Sequence, residues 1–258
     1  MIAKGMISTF WIELSFCVAV LALISRAKKG LKIPAINKVA GLDALDEAIG
    51  RATEMGRPVH YSPGIGDLTN AQTLASFSTL SHVAKQCAKY DTALIVTNRT
   101  PIVYPITEEI VRQAYMEQGK PDAYNPDSVR FISDDQFAYA TACVGLMNRE
   151  LPAANILIGA FWAESLIMAE VGSQTGAIQI SGTAHTHQIP FFVAACDYCL
   201  IGEEIYAAGA YLSKDPVLMG NLVAQDWGKM AMSLIILVGA VIATVSPNAN
   251  WLLDILKL

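Results

Sequence analysis

The chain has 258 residues, 53% of them hydrophobic and only 16% charged, with a formal net charge of −5. The charge is uneven: between Gly41 and Asp226, ten Lys and Arg face twenty-one Asp and Glu. That acidic excess repels phosphate backbones and argues against a nucleic-acid partner, and the lack of any 20–50-residue repeat or low-complexity tract sets solenoids aside.

Met6–Ser25 and Met230–Val245 are the two long apolar runs free of Lys and Arg. Each meets, or nearly meets, the length of about 20 helical residues that crosses a bilayer's hydrocarbon core. Arg26, Lys28, Lys29, Lys32 and Lys38 follow the first run, and only Lys4 precedes it. Cytoplasmic flanks collect such residues, so the middle of the chain is expected in the cytoplasm and both termini outside, in a two-pass protein of the cell membrane. A cleaved leader is not expected: no small-residue cleavage site follows, and the basic cluster is on the wrong side. The chain thus divides into an N-terminal transmembrane helix (1–27), a basic stem (28–40), an α/β domain (41–226), a C-terminal transmembrane helix (227–247) and an amphipathic outward tail (248–258).

Within the domain, Leu42–Met55 has apolar residues at helical spacing, and strand, turn and helix then alternate. Strands are predicted at Pro58–Ser62, Thr92–Thr97, Ser128–Ile132, Asn155–Phe161, Ala177–Ser181 and Phe191–Ala195. Helices are predicted from a Thr69/Gln72 capping box to Tyr90, from Thr107 to Gly119, from a Ser133/Gln136 box to Glu150, over Glu164–Val171 and over Leu200–Leu212. Asp215 is placed to cap a last helix that runs into the second span. Alternation of this kind predicts an α/β, Rossmann-like domain, a mostly parallel sheet with helices on both faces.

The stretches GRPVHYSPGIGDL, DDQFAYA, PAANILIGAFWAES, TGAIQISGTA and IPFFVAACDYCLIGEE resemble an uncharacterised family of bacterial and archaeal membrane-anchored proteins, a domain of unknown function. The resemblance implies membrane anchoring. It supplies no activity and no site residues.

Ligands of open parallel sheets bind beyond the strands' carboxyl ends. Gly64 and Gly66 lie in the turn after the first strand, where a backbone can approach an anion, but Thr69 stands where a dinucleotide fingerprint has its third glycine. Asn98 and Arg99 follow the second strand, and Arg99 can fork onto a carboxylate or phosphate or pair with one of the many acids. Glu164, between Trp162 and Leu166, is a candidate acid–base group whose apolar setting would raise its pKa. Ser181 and Thr183 complete the ligand-binding candidates. His185 and His187, two apart, would point the same way in an extended segment and are candidate metal ligands, with Cys196, Asp197, Cys199 and His60 as further donors. Cys196 and Cys199 also have redox spacing, though their apolar setting favours buried thiols. Glu13 is an intramembrane carboxyl expected to hydrogen-bond against a neighbouring helix. Small residues at Gly202 and Ala207–Ala210, and at Gly239, Ala240 and Ala243, point to assembly, with tight packing within one chain as the alternative.

No catalytic signature is present. The leading expectation is a membrane-anchored, self-assembling structural or scaffold protein that needs no cofactor. Its partners would be the lipid bilayer, further copies of itself and other membrane-complex subunits. The rival is a membrane-tethered enzyme or sensor that binds a small anionic metabolite or nucleotide at the strand ends through Arg99, with Glu164 or His185 as acid–base group. A third class is a transport or channel subunit using Glu13.

Overall fold

The computed structural model describes residues 7–29, 40–213 and 215–245. The chain separates into two units, residues 37–213 and the terminal segments 1–36 with 214–258. The basic stem between Gly30 and Val39 and the tail 248–258 lie outside the described residues.

The terminal unit is a helix pair. Helix α1 spans Ile7–Lys28 and α9 spans Pro216–Val245. Asp215 starts α9 as expected, its Oδ1 accepting from the Val217 and Leu218 amides. At about 1.5 Å per residue, the 30 residues of α9 give roughly 45 Å of helix, longer than the hydrocarbon core. The pair crosses closely at glycines: a Cβ at Gly220 would lie 2.9 Å from the Ile24 Cα, and one at Gly228 would lie 2.9 Å from the Phe16 ring. The contact order, Ile24 with Gly220 and Phe16 with Gly228, makes the helices antiparallel. These glycines make the contact within the pair; Ala240, further along α9, is exposed, and the side chain of Ala243 lies outside the described residues. Trp11, Leu21, Leu234, Ile236 and Leu237 all face outward. Both helices are long and apolar enough to cross a membrane, over Phe10–Lys28 and Pro216–Val241. Glu13 is exposed on α1 and has no hydrogen-bond partner among the described residues, so the expected bond to a neighbouring helix is not made by α9.

The other unit holds α2 (Ala40–Met55), β1 (Val59–Gly64), α3 (Ala71–Tyr90), β2 (Leu94–Asn98), α4 (Tyr104–Glu117), β3 (Val129–Phe131), α5 (Gln136–Glu150), β4 (Ala154–Ala160), α6 (Glu164–Gln174), β5 (Ile178–Thr183), α7 (Ile189–Ala195), β6 (Tyr198–Ile201) and α8 (Glu204–Ser213). The six strands form one parallel sheet in the order β3-β2-β1-β4-β5-β6. This is the doubly wound order, whose connections reverse direction between β1 and β4. A large core, including Leu45, Ile49, Leu80, Val83, Val96 and Ile156, lies under α2, α3, α4 and α8. A smaller one, with Tyr139, Met147, Leu157, Phe161, Met168 and Phe192, lies under α5, α6 and α7.

One predicted strand is a helix. Phe191–Ala195 belongs to α7, and the sixth strand is Tyr198–Ile201, at the start of the predicted helix Leu200–Leu212. A short apolar run has no periodicity to separate strand from helix. Here topology decides: β6 lies parallel beside β5, and parallel neighbours need a crossover, which α7 supplies, with Pro190 in its first turn. Two caps also shift. Asn70, not Thr69, accepts from the Gln72 amide, and Asp135, not Ser133, accepts from Ala138. Helix α4 begins at Tyr104, three residues before the expected Thr107.

A row of buried polar side chains crosses the sheet. Thr97, His60, Asn155 and Gln179 are almost completely enclosed. Thr97 Oγ1 donates to His60 Nε2 at 2.9 Å, His60 Nδ1–H to Asn155 Oδ1 at 2.7 Å, and Asn155 Nδ2 to Gln179 Oε1 at 3.0 Å. Gln179 Nε2 ends the row on the Ala169 and Ala195 carbonyls. His60 is therefore a structural residue, held as a neutral ring by two neutral partners. Burial lowers its pKa from 6.5 to about 4, against the hydrogen bond with Asn155. Above pH 6.5 both folded and unfolded chains carry a neutral His60. Between 6.5 and 4 only the unfolded chain takes up the proton, so stability falls across that window by about 3 kcal/mol. Thermal unfolding followed by circular dichroism should show this acid slope in the wild type and lose it in His60→Gln.

Candidate functional site

The strand ends carry nearly all the sequence-predicted residues, but the structure uses them differently. At the reversal between β1 and β4, Gly64 (φ +83°) and Gly159 (φ +151°) hold the strands together: a Cβ on the first would strike the Ala160 carbonyl, and on the second the Pro63 carbonyl. The Ile65 amide continues the contact, donating to the Ala160 carbonyl at 2.8 Å. Gly64 thus serves strand packing rather than ligand approach. Gly66 lets α3 come close, since a Cβ there would meet Thr73 Oγ1 and the Ala160 methyl.

Ser181 is buried inside the sheet, 3.4 Å from the Tyr198 carbonyl it donates to. Thr183 is also buried, and its hydroxyl donates to Gln72 Oε1 at 3.0 Å. The Ala184 amide donates to the same oxygen at 2.7 Å, so Gln72 ties the start of α3 to the end of β5. Neither Ser181 nor Thr183 is open to a ligand.

Glu164 is fully buried in the first turn of α6. Its Oε1 accepts from the Trp162 amide at 2.8 Å and its Oε2 from Gln136 Nε2 at 2.5 Å. The carboxylate thereby occupies the amide-rich end of its own helix, where charge and dipole attract. Ser165 Oγ is engaged too, bonded to the Trp162 carbonyl and to Gln188. Both act as ties between the β4 turn, α5 and the β5 turn.

His185 and His187 lie in a turn rather than an extended segment, yet their rings stack at 5.4 Å and 16°. The Trp162 ring lies 4.9 Å from His185 and 5.2 Å from His187. His185 Nδ1–H donates to the Phe161 carbonyl at 2.8 Å, leaving Nε2 as the ring's acceptor. Among the described residues no group of three or more His, Cys, Asp or Glu could hold a metal ion. His60 is locked in the sheet, and Asp197 accepts from the Gln179 amide. Cys196 caps the end of α7 and Cys199 lies in β6; burial pushes the first thiol up to about 12 and raises the second. Thiols so placed stay protonated, unlike a redox pair at a helix N-terminus.

Asn98 and Arg99 end β2 on the other side of the reversal. Asn98 is fully buried and its Oδ1 accepts from Thr107 Oγ1. Arg99 is partly exposed, and its Nη1 donates to the Ile65 carbonyl at 3.2 Å; it forms no ion pair among the described residues. With Thr100 it faces Ile65, Gly66, Asp67, Thr69 and Asn70 across an open cleft of about 610 Å³.

A family model for a domain of unknown function, DUF6754, matches residues 1–253. The chain belongs to this family. No curated protein and no solved structure matches it. The family's extent takes in both terminal helices as well as the α/β unit, so the apolar pair is part of the family's architecture.

The partners of Gln72 and Gln136 are invisible in sequence, because Gln three positions after Thr or Ser reads as a capping box. If Glu164 is a structural tie, Glu164→Ala leaves the Trp162 amide and the Gln136 side chain without an acceptor. The expected cost is about 2–4 kcal/mol, with a smaller loss in Glu164→Gln, read from thermal unfolding.

Proposed function

We propose that this protein is a two-pass membrane protein whose cytoplasmic α/β domain self-assembles through the outer face of α5, α6 and α7, as a structural or scaffold component. One observation carries the reading. The two helical layers bury the sheet alike, but their outer surfaces differ. On α2, α3 and α4 the surface carries Asp46, Glu47, Arg51, Lys85, Arg112 and Glu117, several paired, as in Lys85–Glu117 and Arg112–Glu109. The opposite layer has no charged residue from Gln136 to Asn148, from Ser165 to Ala169, or anywhere in α7. In their place Phe137, Leu166, Ile167, Phe191 and Val193 stand 41–57% exposed, with Trp162 beside them. Helix α5 packs on α6, and α6 on α7, so these side chains share one layer.

Single exposed apolar residues are ordinary, but an uncharged face spread over three adjacent helices marks an interaction surface. The occupant that fits is a second copy. A face this poor in charge, with exposed Glu170 one turn past Leu166 on α6, offers little to steer a charged partner, and an apolar face complements itself, as in homodimer interfaces. Anchoring through two spans confines copies to one plane, which raises their encounter frequency. The basic residues after α1 support the cytoplasmic placement of the domain. The outward Glu13 suits an assembly in which another chain covers it.

The test is the mass of the full chain in mild detergent. A homo-oligomer is expected at micromolar concentration, and the double variant Leu166→Glu/Ile167→Glu should reduce it to monomers with its circular dichroism unchanged. Arg112→Glu, on the charged layer, should leave the mass unaltered. A monomeric wild type, or oligomers indifferent to the double variant, would overturn the reading, as would a stoichiometric complex with a different protein on that face.

A further inference from the structure

The register of the terminal helix pair fixes the relative depth of its residues. Ile24 faces Gly220 and Phe16 faces Gly228, so each step along α1 is matched by a step back along α9. Lys229 is therefore level with Ser15, Asp226 with Val18, and Glu13 with Ala231. Helix α1 has 22 residues and a hydrocarbon core takes about 20, so any stretch of α1 that spans the core contains positions 9–26. Glu13, Lys229 and Asp226 then all lie inside it, over roughly 8 Å of depth. Read from its apolar run Met230–Val245, the second span leaves Lys229 and Asp226 at its margin; the pairing with α1 carries them inward.

All three side chains are exposed on the pair. The Lys229 ammonium lies 3.6 Å from Asp226 Oδ1, beyond hydrogen-bond reach, and Glu13 has no hydrogen-bond partner among the described residues. Ionisable groups at such depth are costly against lipid and face protein or water. Two helices enclose no water-filled cavity, so the cover is protein. Copies inserted in one orientation share one depth register, and a group on one copy meets groups of its own level on the next. Across positions 9–26 of α1 and the level part of α9, the cations are Lys229 and Arg26. Arg26 is thirteen residues from Glu13, roughly 20 Å, whereas Lys229 differs from it by two residues of depth, roughly 3 Å.

We propose that the spans form a second self-assembly interface, in which Glu13 of one copy pairs with Lys229 of the neighbouring copy and Asp226 completes the cluster around that ammonium. The inference rests on the two-pass, self-assembling reading but uses a surface other than the α5–α7 face.

The test is disulfide cross-linking in native membranes between two full-length copies with different tags, both carrying Cys17→Ser. One copy carries Glu13→Cys and the other Lys229→Cys. Bridging needs Cα atoms within about 7 Å, so oxidation should give a mixed-tag dimer, about fivefold more of it than when Leu14→Cys replaces Glu13→Cys. Leu14 is exposed at nearly the same depth on another side of α1, which makes it the control for random collision. No mixed-tag product, with a wild type that is oligomeric in detergent, would overturn this proposal and leave assembly through α5–α7 standing. No product from a monomeric wild type would overturn both. Equal product from Leu14→Cys, or same-tag dimers of Glu13→Cys as abundant as the mixed ones, would overturn the pairing. Release of the copies from the membrane by carbonate would overturn the spanning reading and this proposal with it.

Discussion

The arrangement of the domain depends on the polar row that runs through its sheet. Thr97, His60, Asn155 and Gln179 come from four consecutive strands, and His60, Asn155 and Gln179 are direct register partners. Slipping any strand by one residue would turn its member of the row to the opposite face and leave the neighbours with unmet hydrogen bonds in a dry interior. Apolar strands alone specify register loosely, because one Val or Ile replaces another at little cost. The row removes that freedom in β1, β2, β4 and β5. It therefore sets the strand ends level with one another, which is what places Ile65 against Ala160 and Arg99 beside the β1 turn.

From that registration follows how the strand ends are used. The β1–β4 reversal would ordinarily open a crevice, but Gly64 and Gly159 let the two backbones meet there. The space is then divided. On the β4–β5 side the chain satisfies its own groups: Glu164 closes the start of α6, Gln188 holds Ser165, and the three rings of Trp162, His185 and His187 lean together. On the β1–β2 side the groups are less fully engaged. A nucleophile paired with a base is found on neither side among the described residues, because Ser165 and Glu164 are both committed to backbone and amide partners.

The α/β architecture was legible in sequence because five strands and most helices carry periodicity or turn chemistry of their own. Phe191–Ala195 was not, since five apolar residues without alternation suit a buried strand and a crossover helix equally, and only the parallel pairing of β5 with β6 distinguishes them. The cap errors share a cause. Thr69 and Ser133 each precede a Gln by three, yet the following Asn70 and Asp135 are closer to the free amides, and the glutamines serve tertiary bonds that no local pattern encodes. The candidates at the strand ends were found by topology, which says where a residue lies but not what it touches. Ser181, Thr183 and Glu164 were correctly placed near those ends and are nonetheless inward-bonded.

The two helical layers differ in what they present outward. A soluble domain with an uncharged face over three helices risks indiscriminate association in three dimensions. Positions 137, 141, 142, 166 and 167 are all exposed, where a charged side chain could reach solvent. None of these five positions is charged, so burial does not account for the apolar character there. On the scaffold reading, two spans would restrict the orientations in which copies meet, so that an apolar face with little directional chemistry of its own could still associate in one geometry. Charge on the other layer, with Lys85–Glu117 and His82–Asp46 at its surface, leaves that side solvated. On that reading, assembly would run through one layer and leave α3, which belongs to the charged layer, in contact with solvent.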